Sequence, residues 1–126
     1  MLSVGAERRK SGRWAVMTEE TMVVLTTCGN DEDAGALARA LVERRLAACV
    51  NAIGKVASTY RWKDEVLEDR ETLLIIKTTA PRLAAVERTI REQSKYELPE
   101  VIALSIEAGS AEYLAWVRES VAELKD

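Results

Sequence analysis

The chain has 126 residues, 48% of them hydrophobic and 31% charged, with a formal net charge of −3 and no histidine. That length suits one domain with a real core, and the acidic balance leaves no basic footprint for nucleic acid or an anionic membrane. No apolar run approaches the roughly 20 residues that span a bilayer. Two cysteines, Cys28 and Cys49, give no disulfide framework, so the expected setting is the reducing cytoplasm.

Residues 1–21 are basic and then acidic, with no apolar h-region, and do not read as a secretory signal. Arg8, Arg9, Lys10 and Arg13 with Ser3 and Ser11 resemble a transit peptide only faintly. The reading is a flexible N-terminal extension before a folded domain over 22–126. Met17 or Met22 could equally be the natural start.

Met22 to Thr27 is short and continuously apolar, as a central strand is. Cys28-Gly29-Asn30 should end it, leaving Cys28 in a loop. Asn30 is a good N-cap, with Asp31, Glu32 and Asp33 where the helix dipole favours acids. Ala34, Leu37, Ala38, Leu41 and Val42 then follow a helical stripe to Arg45, with Arg44 and Arg45 as C-terminal cations. Ala47 to Ile53 starts a second strand, interrupted at Gly54-Lys55 as by a bulge.

From Val56 to Thr79 the pattern is two long strands joined at Lys63-Asp64-Glu65. Val56, Ser58, Tyr60 and Trp62 share one face. The return strand is polar to Thr72, then apolar on both faces over Leu73 to Ile76, as a doubly covered strand requires. A strand from Val66 to Thr79 would run about 45 Å, against a radius of gyration near 13 Å for about 100 residues. The hairpin should therefore overhang its own domain and pack its tip, with Tyr60 and Trp62, on another copy. A bulge that folds it back is the alternative.

Ala80-Pro81 opens a second helix with Leu83, Val86 and Ile90 inward. Residues 94–99 form a loop ending at Pro99, Glu100 to Glu107 a fourth strand, and Gly109-Ser110 the turn and cap of a last helix bearing Tyr113, Leu114, Val117, Val121 and Leu124. The order β-α-β-β-α-β plus a C-terminal helix gives an α+β, ferredoxin-like sheet. Right-handed crossovers put both main helices on one face. The other face, with residues such as Met22, Val24, Leu73 and Ile75, then has no helix to cover it, and self-association would bury it.

The blocks L-V-E-R-R-L-A-A-C-V-N, Y-R-W, I-I-K-T-T, Y-E-L-P-E-V-I-A-L and Y-L-A-W-V, in this order over residues 23–124, resemble the CutA divalent-cation-tolerance proteins. The resemblance implies a homotrimer similar in architecture to the PII signalling proteins, with no catalytic activity and a link to copper tolerance and copper binding. No cofactor is required; copper or another divalent cation is the ion the resemblance brings in. The ligands proposed in that family are a cysteine late in the first strand, a histidine before a Pro-Tyr pair, and a glutamate after the later proline. Here those positions fall on Thr26, on Gln93 or Ser94, and on Glu100. Cys28 and Glu100 are the remaining metal candidates, and one carboxylate is no transition-metal site.

In the split βαβ order Cys28 and Cys49 should lie at opposite ends of the sheet, beyond disulfide reach, with Cys49 a small core residue. Tyr60, Trp62, Lys77 and Tyr96 are assigned to an inter-subunit cleft or interface. Lys77 would bind an anion there or pair with Glu97 or Glu100. Four functions compete: a CutA-type trimer, a PII-like small-molecule sensor, an enzyme, and an RNA-binding domain. Without histidine no Ser-His or Cys-His pair exists. RNA recognition would want positive charge and exposed aromatics. The trimer should also resist heat.

Overall fold

The computed structural model describes residues 20–123. Strand β1 (Thr21–Cys28) is followed by α1 (Asp31–Glu43), β2 (Cys49–Trp62), β3 (Glu65–Thr79), α2 (Leu83–Gln93), β4 (Ile102–Ser105) and α3 (Ala111–Ser120). The sheet order is β2-β3-β1-β4 with every neighbouring pair antiparallel, which is the expected ferredoxin-like arrangement. Apart from Glu20 and Thr21, the extension expected over 1–21 lies outside the described residues, as does Leu124.

Register decides which face each residue serves. Val24 opposes Ile76 and Thr26 opposes Leu74, and all four are buried against Leu37 and Leu41 of α1 and Val86 and Ile90 of α2. Met22 belongs to the same side. The expectation that Met22 and Val24 lie on the helix-free face is therefore wrong, because a short strand apolar on both sides has no polar residue to fix its register. The second face instead carries Val23, Leu25, Leu73 and Ile75, flanked by Ile53, Ile102 and Leu104, which remain about half exposed. It is not bare throughout. Helix α3 contacts β3 and β1 and buries Val117.

The helix ends follow local chemistry. Asn30 Oδ1 accepts from Asp33 N at 2.7 Å, capping α1 as expected. The helix stops at Glu43, two residues early, and Arg45 turns left-handed with φ 59°. Leu46 N donates to Leu41 O at 2.9 Å and Arg45 N to Val42 O at 3.0 Å, closing a Schellman turn on an arginine where glycine is usual. The Arg45 side chain does not serve its own helix. It donates to the carbonyls of Glu119 and Ala122, and Arg82 donates to that of Val121 at 2.7 Å, so two cations hold the negative end of α3.

β1 pairs with β3 only as far as Cys28 opposite Thr72. Beyond that point β2 and β3 continue alone, as a ribbon, to Trp62 opposite Glu65. The overhang is real: about eight residues per strand, on the order of 26 Å. A bulge marks its root, where the register passes from Ile53–Leu73 to Val56–Glu71. Lys55, not Gly54, takes the left-handed angle there (φ 61°). Gly54 is needed for another reason: a Cβ on it would lie 3.0 Å from Asp31 Oδ1, which accepts from Thr72 Oγ1 at 2.6 Å. At the tip Lys63 and Asp64 both have positive φ, the type I′ pattern that matches strand twist. The turn is thus two residues, and Glu65 already belongs to β3.

Candidate functional site

Two hollows meet at Tyr96. The larger is a cleft of about 650 Å³ between the ribbon and the loop after α2, bordered by Tyr60, Trp62, Glu71, Tyr96, Glu97 and Glu100. The smaller, about 200 Å³, lies between the end of β1, the start of α1 and the end of α2. Tyr60, Trp62, Tyr96 and Glu100, separated by up to 40 positions in the chain, are thereby brought to one place.

Tyr96 is held there by chemistry that the sequence did not disclose. Its hydroxyl donates to Glu71 Oε2 at 2.6 Å, and burial together with that bond pushes the phenol far above its ordinary value of 10.0. Tyr60 makes a similar bond to Asp69 across the ribbon. In sequence Glu71 and Asp69 belong simply to the polar half of the return strand. Only a partner some 25 residues away gives Glu71 its role, and no local pattern could announce it. At the rim, Lys63 Nζ lies 5.6 Å from the Trp62 ring centroid and 3.7 Å from Glu97.

Lys77 is elsewhere. It pairs in register with Cys49 and Val23 near the opposite end of the sheet, and its ammonium is bonded to Asn51. The expected pairing with Glu97 or Glu100 does not occur, since Glu97 meets Lys63 and Glu100 lines the distant cleft. Asn51 was the missed partner, two positions from Cys49 on the neighbouring strand. The two cysteines lie on different neighbours of β3, Cys28 of β1 opposite Thr72 and Cys49 of β2 opposite Lys77, five positions apart along β3 and so beyond disulfide reach as expected. Cys49, however, is partly exposed on the second face and is not a core residue.

Cys28 is the last residue of β1 and not a loop residue. Burial first, then the charges of Asp33 and Glu71, push its thiol above the ordinary 9.0, so it is a protonated thiol at neutral pH. It lines the smaller cavity, whereas Glu100 lines the cleft. Thr26, Gln93 and Ser94 do come together, all in the smaller cavity, but they supply hydroxyls and an amide. Among the described residues no group of three or more Cys, Asp or Glu side chains gathers closely enough to hold a metal ion. The donor set therefore does not fit copper. Thr26 Oγ1 is buried with no hydrogen-bond partner, an unmet demand of about 1–3 kcal/mol.

The split βαβ sheet with its projecting ribbon and ribbon–loop cleft defines a ferredoxin-like α+β domain. The family model for the CutA1 divalent ion tolerance protein matches residues 22–120, and the chain belongs to that family. It is 46% identical over 98 residues to the divalent-cation tolerance protein CutA of Thermus thermophilus, covering 78% of this chain and 95% of that one. The solved structure of a Thermus thermophilus Cut A1 protein superposes with a TM-score of 0.79 at 44% identity, covering 81% and 99% of the two chains. The human protein CutA is 45% identical over 100 residues, which are 79% of this chain but only 56% of the human one. A structure from Archaeoglobus fulgidus, described as a periplasmic divalent cation tolerance protein, superposes at 0.79 with 30% identity over 81% and 99% of the chains. Among the described residues no helix is long and apolar enough to cross a membrane.

Proposed function

We propose that the chain works as a non-enzymatic, cytoplasmic homotrimer serving divalent-metal tolerance, and that it does so without a copper site built from Cys28 and Glu100. The observation that carries the assembly is the ribbon. Residues 56–71 pair only with each other, and an isolated two-stranded ribbon is marginal in water. A second face with Ile53, Ile102 and Leu104 about half exposed adds an apolar surface beside it. Burying both between copies would also make the assembly heat-resistant. The non-enzymatic reading is supported by a chain without histidine and by relatives named as tolerance proteins. Sedimentation at micromolar concentration tests it: a species three times the chain mass is expected, and a monomer would refute it. Calorimetric titration with copper should give no saturable heat, and one tight ion per chain would overturn the metal part.

A second reading, a PII-like sensor of a small molecule, is favoured by the cleft of about 650 Å³, which falls in the size range of ligand pockets. A thermal-shift screen with nucleotides and dicarboxylates checks it. A flat profile across the panel counts against this reading and leaves the trimer untouched.

A further inference from the structure

The larger cleft, between the ribbon and the loop after α2, has a charge of one sign. Its walls carry three carboxylates, Glu71, Glu97 and Glu100, and no lysine or arginine. Three aromatic rings, Tyr60, Trp62 and Tyr96, share those walls. Tyr60 is 39% exposed and Tyr96 38%, so both rings have open surface. Their hydroxyls are committed, one to Asp69 and the other to Glu71, and what each offers a ligand is its ring face. The carboxylates are not equivalent. Glu97 is paired with Lys63, whereas neither Glu71 nor Glu100 has an ion-pair partner among the described residues. The bond that Glu71 accepts from Tyr96 comes from a neutral phenol and leaves its charge in place. At the rim the chain itself shows what such walls attract: Lys63 Nζ lies 5.6 Å from the Trp62 ring centroid and 3.7 Å from Glu97, an ammonium beside both a ring and a carboxylate.

We propose that this cleft binds an organic ammonium ion with an apolar body, the head drawn by Glu71 and Glu100 and the body lying on the rings of Tyr60 and Tyr96. The inference rests on the reading of the cleft as a small-molecule site and names the class of its ligand. Ring faces attract cations, and the two unpaired carboxylates add to that attraction. The same charges repel nucleotides and dicarboxylates, and no cation lines the cleft to hold a phosphate. A bare metal ion would need several donors gathered at one point, which the described residues do not supply. An ammonium on an apolar body needs only rings and carboxylates spread along a wall.

The test is a calorimetric titration of the full chain with phenethylammonium, phenethyl alcohol and phenylpropanoate, molecules of similar shape and three charges, and with a nucleoside triphosphate. The ammonium should bind to saturation, with the alcohol at least about tenfold weaker and both anions silent. Glu100→Gln, which keeps the shape and removes the charge, should weaken the ammonium about fivefold and leave the alcohol unchanged. Tyr60→Leu should weaken it by a similar factor of about five, whereas Tyr60→Phe, which keeps the ring, should retain it. An alcohol that binds as tightly as the ammonium, or a Glu100→Gln or Tyr60→Leu protein that binds as before, would overturn the proposal. Saturation by an anion in place of the ammonium would overturn it and leave the small-molecule reading standing. Silence with every probe would overturn both. If Tyr60→Leu does not fold, the ranking of the probes and Glu100→Gln decide.

Discussion

The block and the ribbon are made from the same two strands, yet they obey different rules. In the block, β3 runs between β1 and β2 beneath two helices, and Leu74, Ile76 and Thr78 are fully buried. Before Thr72, from Glu65 to Glu71, the same strand has one neighbour and no roof, and Val66 is 62% exposed. The difference shows that backbone pairing alone can extend a sheet but cannot cover it. What covers the ribbon in its own chain is little: Tyr96 through Glu71, and an exposed ion pair between Lys63 and Glu97 of the kind worth at most about 1 kcal/mol.

Substitutions can break each half separately. Leu74→Ala removes a wholly buried side chain at the centre of the block and should cost about 2–5 kcal/mol, read as a lower urea midpoint at unchanged slope. Trp62→Ala should leave the block folded and weaken the proposed trimer by roughly 2–4 kcal/mol, seen as dissociation on dilution in sedimentation. If the altered protein remains associated at nanomolar concentration, the ribbon tip is no anchor.

Gly54→Ala acts at the boundary. Its methyl would press on the Asp31 carboxylate at 3.0 Å and disturb the bond to Thr72, for a loss of about 1–3 kcal/mol by chemical denaturation. Equal stability of the two proteins would mean that the bulge tolerates a shifted Asp31. Asp64→Gly has the smallest effect and the opposite sign. With φ 69° at that position, glycine should stabilise the ribbon by about 0.5–1 kcal/mol, raising the melting temperature of the assembly slightly. A fall in melting temperature would assign Asp64 a contact that outweighs its backbone angle.

Much of the fold was legible because it rests on local signals. Ala34, Leu37 and Leu41 of the helical stripe, the Asn30 and Ser110 caps and the Pro81 turn appear where the pattern puts them, whereas Val42 at the end of the stripe is 43% exposed. The site was less so. Tyr60, Trp62, Tyr96 and Glu100 could be singled out by residue type, but Lys77 and Cys28 were misplaced, since the environment of each is set by other strands. The fourth strand shrank from the expected Glu100–Glu107 to Ile102–Ser105, because an edge strand keeps only those residues that find a partner on β1.

Periodicity and capping, which act within a few residues, determined from the sequence alone that this chain alternates strands and helices in a split βαβ order and carries a hairpin too long for its body. Tertiary structure alone decided which side of β1 meets the helices, that Asp31 stands over the bulge, and that Tyr96 joins the ribbon through Glu71. Those outcomes depend on register and on contacts between residues 20 or more positions apart, where a one-residue slip exchanges the two faces and no local preference reaches.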